Sequence, residues 1–226
     1  MKHVVTGAGS GIGHALARRL TDRGDELVLL ARNQARGADL GRTFPQAQVL
    51  VADLGDPGTL NGLGREVDGG VDTLVHVAGV VDLSPVSSLR LAQWEEQLTV
   101  NLTAPAVLTR ELLPHLRAAR GTVVFVNSSA GLTANARWSA YAASKFGLRA
   151  LADALRAEEA EHGVRVSTVY PSRTATPMQV KVHEQEGRDY DASQWISVDT
   201  LVETIVHVID LPADATIPDV TVRPGA

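Results

Sequence analysis

Apolar and polar residues fall in blocks along this chain. Short, almost wholly apolar runs at 3–5, 26–30, 48–52, 73–77, 122–126, 164–170 and 219–222 predict strands. Between several of them the apolar residues recur at helical spacing. Helices are predicted over 15–20, over 89–119 with an interruption near Asn101 and Pro105, from Tyr141 through Ala157 until His162 and Gly163, and over 198–209. Strands that are apolar on both faces, alternating with helices, imply an α/β domain whose doubly wound parallel sheet carries helices on both faces. One such domain is expected over 1–226. The stretch 174–196 mixes Met178, Val180, Tyr190 and Trp195 with Glu184, Glu186, Arg188 and Asp189, which suits a lid over a site or an ordinary surface excursion.

In sheets of this kind ligands bind beyond the carboxyl ends of the strands, and the polar and glycine residues gather there. After the first strand comes the turn Thr6, Gly7, Ala8, Gly9, Ser10, Gly11, Ile12, Gly13, leading into a helix. Glycines let backbone approach a pyrophosphate, and a helix start offers free N–H groups and a positive dipole end. Tight strand–helix turns use glycine too, but the first junction is the dinucleotide position. After the second strand stands Arg32 and no acid, which favours the 2′-phosphate of NADP over the bare ribose of NAD. Asp53 and Leu54 follow the third strand, where they meet an adenine or cap the next turn. Ala78 and Gly79 follow the fourth, Ser128 the fifth and Pro171 the sixth.

The pair Tyr141 and Lys145 carries the strongest chemical signal. Residues four apart share a helix face, which sets a phenol beside an ammonium. A cation about 4 Å away at a dielectric near 20 lowers a phenol pKa of about 10 by up to roughly three units. Tyr141 is then expected to act as acid or base near neutral pH, with the Ser128 hydroxyl sharing a substrate oxygen. Asn101 both donates and accepts, which suits holding a water next to Lys145. The bland readings are a solvated helix face, two serines opening a turn, and a polar residue interrupting a helix.

Composition narrows the classes. The chain has 226 residues, a net charge of -5 and no cysteine. Disulfides and thiolate chemistry are excluded, and an acidic balance argues against general nucleic-acid binding. No apolar run is long enough to cross a bilayer, and the strand close behind Met1 leaves no room for a signal-peptide core. A soluble cytoplasmic protein without membrane partner is expected. The histidines lack metal-ligand spacing, so no metal is expected.

In this order and spacing, Thr6, Gly7, Gly11, Gly13, Asp53, Asn101, Ser128, Tyr141 and Lys145 resemble the short-chain dehydrogenase/reductase family, in its subgroup of about 250 residues. The resemblance spans nearly the whole chain and implies a single-domain Rossmann-type fold. It implies that Tyr141 exchanges a proton with the substrate oxygen, Ser128 positions that oxygen, Lys145 lowers the phenol pKa and holds the nicotinamide ribose, and Asn101 supports a relay water. It assigns cofactor contact also to Ser10, Ile12, Ala78, Gly79, Pro171, Thr174 and Thr176. NADP(H) is expected over NAD(H), hydride passing between nicotinamide and a carbonyl/alcohol pair. Val81, Leu83, Leu132, Trp138, Met178 and Trp195 suggest a hydrophobic ketone or aldehyde. A homodimer or homotetramer through the helices holding Asn101 and Tyr141 is expected. Val77 stands where the family commonly has asparagine, Ser172 where it has glycine, and Ser10 where some NADP users have a basic residue, leaving Arg32 alone. The rivals are a dinucleotide-binding sensor without turnover, an NAD-dependent alcohol dehydrogenase, and an epimerase or dehydratase of the longer related subgroup.

Overall fold

The computed structural model describes residues 1–225; Ala226, the last residue of the expected domain, lies outside them. In chain order the elements are β1 (Lys2–Val5), α1 (Gly11–Asp22), β2 (Glu26–Ala31), α2 (Gln34–Thr43), β3 (Gln48–Val51), β4 (Thr73–His76), α3 (Leu91–Leu98), α4 (Ala104–Ala119), β5 (Thr122–Val126), α5 (Ser139–Glu159), β6 (Arg165–Pro171), α6 (Pro177–Glu186), α7 (Val198–Ile209) and β7 (Asp219–Val222). The strands form one sheet in the order β3-β2-β1-β4-β5-β6-β7, and every pairing is parallel.

Successive strand residues point to opposite faces, and the two faces bury two separate cores. Val4, Val28, Leu74, Val123 and Phe125 pack on one side with Leu108, Leu112 and Leu116 of α4 and Leu148 and Leu155 of α5. Val5, Leu29, Val75, Val124 and Val169 pack on the other with Leu16 and Leu20 of α1 and Leu201, Ile205 and Val206 of α7. This double burial is why the strands read as unbroken apolar runs. The connection from β3 to β4 departs from the alternation: it holds only two short 3-10 turns, Pro57–Leu60 and Leu63–Glu66.

Two local departures from regular geometry position the site. The interruption expected near Asn101 is a π-helical turn, Thr99–Thr103, between α3 and α4. The segment 174–196 is pinned at both ends by a parallel bridge between Thr174 and Ile196, and it contains α6.

Candidate functional site

The glycine turn after β1 is built by close backbone approach. Gly7 and Gly11 adopt positive φ of 75° and 53°, and a Cβ on Gly13 would stand 2.3 Å from the carbonyl oxygen of Gly7. Thr6 is buried and serves the sheet: its Oγ1 accepts from Val77 N at 3.0 Å and Ala78 N at 3.1 Å. Val77 itself packs into the α1–α7 core, so the asparagine missing there is replaced by apolar packing. The first turn of α1 carries no acidic residue, and Ser10 at its N-cap makes no side-chain cap bond, which leaves its N–H groups ready for an anion.

Two cavities open along this edge and meet at Gly79. The larger, about 690 Å³, is lined by Gly7, Ser10, Arg32, Asp53, Leu54 and Ala78 among others. Asp53 also caps its own turn, accepting from Gly55 N at 2.8 Å, while lining the cavity. The larger cavity holds a cation that the sequence reading missed: Arg36, in the first turn of α2, lines it beside Arg32. The signal was Asn33, whose side chain caps α2 by accepting from Arg36 N at 3.0 Å and so places Arg36 one turn beyond Arg32. Asp39 lies on the same wall, 3.6 Å from Arg36 and also paired with Arg42.

The smaller cavity, about 250 Å³, is lined by Ser128, Tyr141 and Lys145 with Ile12, Pro171, Thr174 and Thr176. Val81, Trp138 and Met178 supply apolar walls, but Asn135, Ser129 and Gln179 make it mixed in character. Leu83, Leu132 and Trp195, expected among those walls, do not line it. Leu83 packs behind Val81 and Val182, and Trp195 lies under the Arg173 guanidinium at 5.4 Å, against His183.

Tyr141 and Lys145 are buried at 7% and 3% exposure, side by side on α5. Lys145 Nζ stands 5.7 Å from the centroid of the Tyr141 ring and donates to Val126 O at 3.2 Å. The expected acidic phenol is corrected here. Burial pushes Tyr141 up to about 12, with the neighbouring Ser128 hydroxyl pulling it back only in part. The same burial pushes Lys145 down to about 8. Taking both groups out of water penalises both charges, and at this separation that cost outweighs their attraction. Near neutral pH the pair is a phenol beside an ammonium.

Asn101 sits behind Gly79, 1% exposed. Its Oδ1 accepts from Val80 N at 2.8 Å, while its Nδ2 donates to Val80 O at 2.9 Å and Ser144 Oγ at 3.0 Å. Both amide hydrogens are spent, so the side chain clamps the loop after β4 and does not present a free amide to a water beside Lys145. A Cβ on Gly79 would lie 3.2 Å from Asn101 Oδ1 and 3.8 Å from Lys145 Nζ, in the passage between the cavities. Asn127 supports the same corner by donating to Lys145 O at 3.0 Å.

A bare glycine cradle at a helix start, a cavity with two arginines on one side of it and the buried Tyr–Lys pair with half-buried Ser128 on the other fit a nicotinamide dinucleotide laid across Gly79. Among the described residues no group of three metal-ligating side chains occurs, and no helix is long and apolar enough to cross a membrane.

Comparison with known proteins agrees with this geometry. A family model described as short chain dehydrogenase matches residues 2–187. An otherwise uncharacterised oxidoreductase of Listeria monocytogenes is 30% identical over 235 residues, covering 98% of this chain and 95% of that protein. One from Staphylococcus epidermidis is 27% identical over 226 residues, covering 98% and 96%. Among solved structures, a putative NAD(P)-dependent gluconate 5-dehydrogenase from Beutenbergia cavernae, with bound NADP, superposes with a TM-score of 0.85 at 28% identity over 97% of this chain and 94% of that one. A short-chain dehydrogenase from Streptomyces avermitilis gives 0.82 at 26% identity over 98% and 87%.

Proposed function

The chain belongs to the short-chain dehydrogenase/reductase family, and from that premise we propose that it is an NADP(H)-dependent reductase acting on a carbonyl/alcohol pair. One observation carries the reading: a buried phenol and ammonium and the half-buried Ser128 hydroxyl face one cavity, and that cavity meets a larger one, lined by the glycine turn and Arg32, at Gly79. Bound nicotinamide dinucleotide supplies or accepts the hydride. Ile12, Pro171, Thr174 and Thr176 line its nicotinamide end, and Asp53 and Leu54 its adenine end.

The chain's own groups do the rest. With its pKa pushed up to about 12, Tyr141 keeps its proton near neutral pH, so it is poised to give that proton to a carbonyl oxygen. That supports reduction as the working direction. Ser128 shares the substrate oxygen, and Lys145, still mostly protonated at pH 7, supplies positive charge beneath the phenol. Arg32 and Arg36 flank the position of a 2′-phosphate, which supports NADPH over NADH. The cavity volume and its walls of Val81, Trp138 and Met178 support a small ketone or aldehyde with an apolar flank. Phe146, 42% exposed on α5, supports assembly through that helix into a dimer or tetramer.

The deciding experiment follows NADPH oxidation against a panel of ketones, aldehydes and quinones, together with NADPH and NADH titrations of Arg32→Ala. Carbonyl-dependent oxidation, and a loss of affinity at least about tenfold larger for NADPH than for NADH, are expected. Tight NADPH binding without turnover of any carbonyl would favour a sensor, and equal weakening of both cofactors would remove Arg32 from its role.

A further inference from the structure

Helix α6 forms one wall of the smaller cavity through Met178, Gln179 and Val182, yet only Gln179, Val182 and His183 are buried on it. So little apolar contact does not by itself hold a helix in place. Three consecutive residues of the loop after β4 reach across to it. Val81 O accepts from Lys181 Nζ at 2.7 Å, the Asp82 carboxylate accepts from Gln185 Nε2 at 2.5 Å, and Leu83 N donates to Gln185 Oε1 at 3.0 Å.

Asp82 is itself held from the opposite side. Its other carboxylate oxygen accepts from Gln93 Nε2 at 2.6 Å, and its backbone N and O are both bonded to the Gln97 side chain at 3.1 Å. Immediately upstream, Val80 is clamped by Asn101 and Gly79 borders both cavities. One strap therefore runs from the dinucleotide cavity, past Asn101, to the far wall of the substrate cavity, and its charged contacts with α6 gather at Val81 and Asp82, where Lys181 Nζ also stands 4.0 Å from the Asp82 carboxylate.

We propose that Asp82 is a positioning residue for the substrate cavity: braced by Gln93 and Gln97 of α3, it fastens α6 through Gln185 and thereby sets how tightly the site closes beside Tyr141. The part of this concerning substrate rests on the reading of the cavity as a carbonyl site. The carboxylate is suited to the task because both of its oxygens accept, one from Gln185 and one from Gln93, whereas an asparagine of the same size accepts at one atom and donates at the other.

The test exploits that difference. Asp82→Asn turns an N–H toward Gln185 or Gln93, setting donor against donor. Adding Gln185→Glu restores the pair, because the new carboxylate accepts from the introduced amide and still accepts from Leu83 N. Hydrogen exchange of amides in 179–186 is followed by mass spectrometry with NADPH present, with the α7 amides as reference. D82N is expected to speed exchange in α6 at least about tenfold and the double variant to return it to within about threefold of wild type. In parallel, KM for acetophenone and benzaldehyde is expected to rise in D82N and fall back in the double variant, while NADPH affinity stays within about twofold.

Unchanged exchange in D82N, exchange that Q185E fails to restore, or a loosened α6 with KM unaltered would each overturn the proposal. If D82N loosens α7 as well, Gln185→Ala is the arm that decides: α6 exchange or KM left unchanged by it would overturn the proposal. A wild-type protein that turns over no carbonyl at all would reject the reductase reading and leave the exchange result to decide the fastening of α6.

Discussion

His76 offers a sharp test of the electrostatics around the site, because its effect is read from stability alone. It ends β4 with 3% exposure, its ring stacked on Phe125 at 5.0 Å and its Nε2 within 2.9 Å of Thr109 Oγ1. Burial, with help from the nearby Lys145 charge, pushes its pKa from 6.5 down to about 3. A histidine depressed in the folded state contributes nothing above its unfolded pKa and costs stability as pH falls below about 6.5, because the unfolded chain takes up a proton that the buried ring refuses. The cost grows to about 1 kcal/mol near pH 5.5 and about 3 kcal/mol near pH 4.5, with a ceiling of about 5 kcal/mol below pH 3. The perturbation is His76→Gln, which can still reach Thr109 but does not titrate. Urea unfolding of both proteins between about pH 8 and pH 4.5 cancels every other titrating group in the difference. The stability of wild type relative to His76→Gln should fall by about 3 kcal/mol across that range. A difference that stays flat to within about 0.5 kcal/mol would show that His76 is solvated or charged in the folded protein, and the reasoning would fail.

Three further substitutions and one control probe the site. Tyr141→Phe should lower turnover by at least about 100-fold while NADPH titration changes little, and retained turnover would remove the phenol from proton transfer. Lys145→Met should abolish activity yet raise the unfolding free energy at pH 7 by about 1–3 kcal/mol, since an amine depressed from 10.5 to about 8 costs stability at every pH below its unfolded value. That gain should shrink as urea titrations are repeated toward pH 10. Gly13→Ala should destabilise by at least about 1–3 kcal/mol and abolish dinucleotide binding, because its Cβ meets the Gly7 carbonyl oxygen at 2.3 Å. Gly9→Ala, with nothing within 4 Å, should leave the urea midpoint unchanged and serves as its control.

What the sequence disclosed follows burial. Strands covered on both faces leave unbroken apolar runs, so β1, β2, β4 and β5 were legible, as was α7 with its apolar face on the sheet. Helix α2 was not: it buries only Leu40 and contains Gly37 and Gly41, so no helical stripe marks it, and Arg36 was hidden with it. The spacing of Tyr141 and Lys145 revealed adjacency, but the sign of their pKa shifts depends on desolvation, which no spacing encodes. Asp82 was equally silent, a lone acid in a loop whose partners Gln93 and Gln185 lie on separate helices.

The order of the sheet has a consequence for how the protein is made. Its central neighbours, β1 and β4, pair Val4 with Leu74 across a stretch of chain that must first supply β2, α2 and β3. Such distant pairing is slow to form and leaves raw strand edges open to self-association on the way. Faults introduced in that intervening stretch should therefore surface as inclusion bodies and poor yield, with whatever molecules do mature retaining ordinary turnover.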